Sequence, residues 1–273
     1  MSGRTDLNEV PARCLPFLRL WRLEADGAPI ETPTSTVLPV LHQGTPAMLK
    51  LLKPGSDERD GIAALRHFAG TAAVRLIEAA DDAVLMERAV GPRSLTAMAL
   101  GDADDEATVI LARTASRLHA AGPPSPGSSI GPLSARFRAL FALRSRHAVL
   151  GRAAAMAEAL LAAPRDVAVL HADLHHENVL DSPRGFLAID PKGAIGEATY
   201  DVANLFLNPA GVERLVLDPE RARGMEALIA AETGFEPARI RQFAFAHAGL
   251  ATAWNIEDGI DPRLGLALAE MLE

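Results

Sequence analysis

A single cysteine, Cys14, serves all 273 residues, which excludes an intramolecular disulfide framework and a cysteine-rich zinc site. No apolar run approaches the ~20 residues of a membrane span, and the stretch from Met1 to Pro16 has no signal-peptide h-region. A cytoplasmic location without a membrane partner is therefore expected. Basic residues are the minority, 27 Lys+Arg against 35 Asp+Glu, giving a formal net charge of −8. That balance argues against nucleic acid as a partner, because neutralising phosphates requires a basic face. Internal repeats and a G-x-G-x-x-G loop are also missing. Hydrophobic residues are plentiful at 49%, enough to bury the core of one large domain or two small lobes.

The first ninety residues read as strand-rich. Alternating segments at 21–24, 36–41, 47–52, 74–77 and 83–86 predict strands, with Asp26-Gly27 as a hairpin turn and 42–46 as a second turn. Pro39 predicts an edge strand or a bulge. A helix capped by Ser56 or Asp57 is expected to run to about Phe68, burying Ile62, Leu65 and Phe68. Beyond Val90-Gly91-Pro92 the composition turns to Ala, Leu and Arg. Helices are predicted at 106–120 and 133–163, the second broken near Gly151, with an exposed Pro/Ser/Gly loop at 121–129. Short strands return at 167–170, 179–180 and 186–189, and the last seventy residues read as helical.

The chemistry concentrates in Val169-Leu170-His171-Ala172-Asp173-Leu174-His175-His176-Glu177-Asn178-Val179-Leu180, followed by Ile189-Asp190-Pro191-Lys192-Gly193. The pattern is H-x-D-L-x-x-x-N with an Asp twelve positions later, the layout of a protein-kinase catalytic loop. A strand ends, and the loop presents Asp173 toward a substrate hydroxyl. Asn178 turns toward a magnesium ion, and a short hairpin returns the chain so that Asp190 meets the same metal. His171 is expected to hold the loop by hydrogen bonds. Taken singly, Asn178 and Asp190 read as turn residues; jointly, each beside an apolar strand, they form a strong pattern.

These residues, with Gly196 to Asn204 and Asn208-Pro209, resemble the aminoglycoside phosphotransferases, in their streptomycin 6-kinase and hydroxyurea kinase branch. Ala172 and Glu177 stand where that family usually has Gly. The resemblance implies an α+β, two-lobed, protein-kinase-like fold. A small antiparallel-sheet N-lobe (1–90) would bind nucleotide, and a larger helical C-lobe (91–273) would hold catalytic loop, metal site and acceptor pocket. It implies ATP and Mg²⁺ as cofactors, Asp173 as catalytic base, and Asn178 and Asp190 as metal ligands. Lys50 would grip the α/β-phosphates, paired with Asp60 by helical register or with Glu58. Adenine would bond the Glu87 carbonyl and the Ala89 N–H, flanked by Met86. The phosphate-covering turn is expected within 26–35. Asp201 would organise the catalytic loop, Lys192 would offset phosphate charge, and Trp254, Glu257 or Asp258 would face the acceptor.

Only ten residues separate Asp190 from Asp201, too few for a peptide-binding activation segment. The partner implied is thus a small-molecule hydroxyl acceptor, aminoglycoside-like or hydroxyurea-like, in the setting of antibiotic resistance. Two other classes compete. His171, Asp173, His175 and His176 imitate the metal cluster of a hydrolase, and a pseudokinase would bind nucleotide without transferring phosphate.

Overall fold

The computed structural model describes residues 10–55 and 58–273. The expected caps Ser56 and Asp57, and the first nine residues of the stretch read for a signal peptide, lie outside them. Helix α1 (Leu15–Leu20) precedes strands β1 (Leu23–Ala25), β2 (Ile30–Glu31), β3 (Ser35–His42) and β4 (Thr45–Leu52). Helix α2 (Arg59–Phe68), β5 (Leu76–Ala79) and β6 (Ala83–Glu87) follow. The six strands form one antiparallel sheet in the order β1-β3-β4-β6-β5, with β2 also on β3.

Alternation decides which side chains reach the ligand side. Leu38, Val40, Leu49, Leu51 and Leu85 pack on one face beneath Cys14 and Leu18 of the α1 region. The residues between them (Val37, Met48, Lys50 and Met86) point to the other face and line a cleft. Lys50 thereby stands on the cleft side of a strand whose neighbours are core.

Two turns differ in kind. The 42–46 turn tightens to Gln43-Gly44, both left-handed (φ 51° and 76°), as a two-residue hairpin requires. Asp26-Gly27 makes no hairpin, because β1 and β2 lie in line along the same side of β3. The interruption falls at Pro39, which has no N–H to give a neighbour; its carbonyl accepts from Asp26 N at 2.9 Å. A Cβ on Gly27 would come to 3.0 Å of Pro39 Cγ, so the glycine permits the crossing.

The second lobe comprises α3 (Leu95–Leu100), α4 (Asp104–His119), α5 (Arg138–Leu143), α6 (Ala148–Ala162), α7 (Glu213–Val216), α8 (Pro219–Thr233), α9 (Pro237–Glu257) and α10 (Arg263–Leu272). The expected break at Gly151 lies earlier, at 144–147, where the His147 side chain caps α6 by accepting from Val149 N. Gly151 is inside α6, and a Cβ there would press on Arg144 O at 3.2 Å. Strand β7 (Val167–Leu170) pairs with β10 (Ala194–Glu197), and β8 (Val179–Leu180) with β9 (Leu187–Ala188). Among the described residues no helix is long and apolar enough to cross a membrane.

The lobes meet backbone to backbone where Val74 N donates to Ala188 O at 3.0 Å and Ala188 N to Ala72 O at 2.8 Å. The chain is pinned again just past residue 90. Gly91 N donates to Asp181 O at 2.8 Å, and a Cβ on Gly91 would collide with Asp181. At the start of α2, a Cβ on Gly61 would strike Pro191 O, and one on Gly193 (φ 72°) would strike Asp60 O. These glycines dock α2 directly on the segment that carries Asp190.

Candidate active site

A cleft of about 510 Å³ opens between the lobes, and Lys50, Glu87, Ala89, Asn178 and Asp190 all line it. The Lys50 ammonium lies 2.6 Å from Glu58 Oε2 and also bonds Asp190 Oδ1. Lys192 Nζ reaches Asp190 Oδ2 at 3.2 Å. Burial opposes the charge on Lys50, but the Asp190 and Glu58 carboxylates prevail and hold its pKa above the ordinary lysine value. Burial likewise works against the Asp190 carboxylate; Lys50 and Lys192 outweigh it and hold Asp190 below the usual range, as an anion.

Asp60 is not the lysine's partner. Its Oδ2 accepts from Gly131 N at 3.0 Å, across the lobe boundary. The reason is the helix start. Helix α2 begins at Arg59, so Glu58 stands just before the first turn with φ −114° and escapes the helical register that favours Asp60.

Hydrogen bonds hold the first part of the catalytic-loop segment, although both ring nitrogens of the buried His176 have no partner among the described residues. Asp201, in the 3-10 helix Ala198–Leu207, accepts from His171 N (2.9 Å), from Ala172 N (2.7 Å) and from the His119 ring (2.9 Å). His171 Nε2 donates to Ile189 O at 2.8 Å, which leaves Nδ1 to accept from Asp173 N at 3.3 Å. Burial pushes the pKa of His171 down, so the ring is neutral and spans the ends of β7 and β9. Ala172 takes a left-handed φ of 65°, a cost of about 1–2 kcal/mol for a residue with a Cβ, held in place by its bond to Asp201. Glu177 lies in a short 3-10 helix, His176–Asn178, with an ordinary φ, so only the first departure from glycine strains the backbone.

Asp173 does not line the cleft itself; it adjoins Asn178, which does. Asn178 Nδ2 donates to its backbone oxygen (2.9 Å) and to Oδ2 (3.3 Å), while Asn204 Nδ2 donates to Oδ1 (3.2 Å). Both carboxylate oxygens are therefore aimed by amides. With its Nδ2 given to Asp173, Asn178 keeps Oδ1 for another partner. Ile189 N donates to Asn178 O at 2.9 Å, which places Asn178 beside the strand end that delivers Asp190. A carboxylate held anionic and an amide oxygen suit a hard cation, Mg²⁺ being the biological choice beside phosphates. The donor set fits.

Residues 20–259 match the family model described as aminoglycoside/hydroxyurea antibiotic resistance kinase. The chain belongs to that family. The streptomycin 3''-kinase of Klebsiella pneumoniae is 46% identical over 245 residues, 88% of this chain and 91% of that one. The streptomycin 6-kinase of Streptomyces griseus is 32% identical over 277 residues, 95% of this chain and 87% of the relative. Among solved structures, an amicoumacin kinase in complex with AMP-PNP and Ca²⁺ superposes with a TM-score of 0.68 over 97% of this chain and 93% of its own, at 14% identity. The architecture is the two-lobed, protein-kinase-like one, and the kinase is a phosphotransferase acting on a hydroxyl of a small molecule.

Other parts of the kinase fall around this centre. The Glu87 side chain turns away to Arg184 (2.8 Å) and to Arg75 N (3.1 Å), so only its backbone is left for the cleft. The turn over the cleft narrows from 26–35 to Thr32–Ser35, where Thr32 N donates to Ser35 O and Ser35 N to Thr32 Oγ1, each at 2.9 Å. Trp254 is half-buried, with the Arg136 guanidinium 5.2 Å from its ring centroid; Glu257 and Asp258 are exposed. The hydrolase reading finds no support. His171 has both nitrogens engaged, and among the described residues no three His, Cys, Asp or Glu side chains converge on a metal. The sequence analysis assigns no role to Asn204, although it closes the Gly196-to-Asn204 segment, nor to His119.

Proposed function

We propose that the kinase transfers the γ-phosphoryl group of ATP to a hydroxyl of a streptomycin-type aminocyclitol, in the cytoplasm where ATP is supplied. Residues 1–90 hold the nucleotide, and residues 91–273 carry out the transfer. The observation that carries the reading is the convergence of Lys50, Asn178 and Asp190 on one cleft, with Asp173 hydrogen-bonded to Asn178 beside it.

Adenine lies against Met48 and Met86 and bonds the Glu87 carbonyl and the Ala89 N–H. Lys50, fixed by Glu58, meets the α- and β-phosphates, and Lys192 stands nearer the γ-phosphate. Asp190 and Asn178 Oδ1 hold Mg²⁺, which supplies charge neutralisation on the phosphate oxygens. Asp173 orients the acceptor hydroxyl and takes its proton as the new P–O bond forms and the bond from the γ-phosphorus to the β–γ bridging oxygen breaks. The short Asp190-to-Asp201 link offers no peptide shelf, which supports a small acceptor.

The 46% identity to a streptomycin 3''-kinase, against 32% to a 6-kinase, favours the 3''-hydroxyl. Incubation with ATP, Mg²⁺ and streptomycin, followed by mass spectrometry and phosphorus NMR, tests the reading. One added phosphate at the 3''-position is expected. ATP consumed only with hydroxyurea, or with no aminocyclitol in a panel, would overturn the acceptor assignment.

A further inference from the structure

Asp173 Oδ1 is the end of a hydrogen-bond chain that starts on another helix, 74 residues along the sequence. His247, on α9 and 3% exposed, has Nδ1 at 3.1 Å from the Tyr200 hydroxyl and Nε2 at 3.1 Å from Asn204 Oδ1. The direction of every bond follows from the far end. A carboxylate oxygen only accepts, so the Asn204 atom facing Asp173 is the amide nitrogen. Its Oδ1 then faces His247 and Asn208, whose Nδ2 also donates to it at 3.1 Å. His247 Nε2 must therefore carry the hydrogen, and Nδ1 of the neutral ring accepts from Tyr200 O–H. Burial, then the nearby Arg136 charge, pushes the His247 pKa down to about 3, in keeping with the neutral ring. Tyr200 is itself 2% exposed, and its ring packs edge-on to those of Phe137, Phe243 and His247. The chain thus begins in rigid core and ends on the carboxylate that meets the acceptor.

We propose that His247 is a positioning residue for phosphoryl transfer, fixing the Asn204 amide so that it aims Asp173 Oδ1, with Tyr200 setting the ring's tautomer. The inference rests on Asp173 being the base. A side chain without an Nε2–H removes one of the two donors that hold the Asn204 oxygen and leaves only Asn208 to fix it, and a misaimed base costs rate while leaving the nucleotide side of the cleft untouched.

A double-mutant cycle separates the two claims. H247L is expected to lower kcat about 10²-fold, with KM for ATP within twofold of the parent. H247Q, whose amide nitrogen can take the place of Nε2–H, is expected to recover most of the loss, and Y200F to lower kcat a few-fold. In the D173N background, H247L should add no further loss. If D173N alone keeps full activity, the base assignment fails. If D173N is impaired but H247L multiplies that loss, or changes only the melting temperature, the relay fails. Should H247L not fold, Y200F and H247Q decide: unchanged kcat in Y200F together with an H247Q no better than H247A overturns the proposal.

Discussion

Lys50 and Glu58 are joined at 2.6 Å on the cleft side of the N-lobe, and the same ammonium bonds Asp190 of the other lobe. One lysine thus connects the N-lobe sheet, the start of α2 and the segment that carries Asp190. Its partner is the residue just before the helix rather than Asp60 within it. E58Q is therefore expected to raise KM for ATP about tenfold, equivalent to ~1.4 kcal/mol. D60N retains the oxygen that accepts from Gly131 N and should leave KM for ATP within twofold. Steady-state kinetics on the two variants checks this, and the reverse ranking would contradict it.

Asp190 pairs with two lysines, Lys50 and Lys192. Metal dependence should accordingly invert in D190N. With Mg²⁺ present, the variant should bind ATP at least tenfold more weakly than the parent. With Mg²⁺ chelated, it should bind as tightly or more tightly, since both ammonium groups are released toward phosphate. Calorimetric titrations with and without chelator give the comparison; equal weakening under both conditions would count against a metal role for Asp190.

The docking of α2 on the Asp190 segment depends on two glycines. G193A adds a Cβ where Asp60 O already sits, at a left-handed φ of 72°. G185A has a similar φ of 89° but nothing within 4 Å. The second should cost about 1 kcal/mol in strain alone, and the first at least twice that, from overpacking of backbone. G193A should also raise KM for ATP, because Glu58 is carried by the displaced helix. Thermal melts and ATP titrations measure both effects. Equal losses of stability would show that the close approach has no energetic weight.

Buried neutral histidines set the acid side of stability. Burial, then a neighbouring arginine charge, lowers the pKa of His176 to about 4 and of His247 to about 3, from 6.5. Below pH 6.5 the unfolded chain takes up these protons and the folded chain does not, so stability is fully present above 6.5 and falls with pH. At pH 5 each contributes a loss on the order of 2 kcal/mol. Asp190 acts lower, since its stabilising share persists until pH falls below 3.8, its ordinary value. Urea unfolding between pH 7 and pH 5 is expected to show a steadily falling midpoint, and a flat profile would contradict the buried, neutral assignment.

The proximity of Asp173, Asn178 and Asp190 is legible in the sequence because one loop and one hairpin carry them, so sequence spacing is close to spatial spacing. Lys50 came from the family resemblance alone, and strand alternation then puts its side chain on the cleft side. Glu58 lost to Asp60 only because helical register was extended one residue past the true start of α2. Asp26-Gly27 has the composition of a hairpin, yet β1 and β2 share one side of β3, a pairing that local sequence does not encode. Asn204 and His247 reach Asp173 from distant segments through tertiary packing, and nothing periodic in the chain joins them.

The central claim is that the Asp173 carboxylate receives the proton of the acceptor hydroxyl. Single-turnover phosphorylation of streptomycin by D173N, with ATP affinity measured on the same preparation, tests it most directly. The rate is expected to fall ~10²–10⁴-fold while ATP affinity stays within twofold. A phosphorylation rate equal to the parent's, on a correctly folded variant, would contradict it.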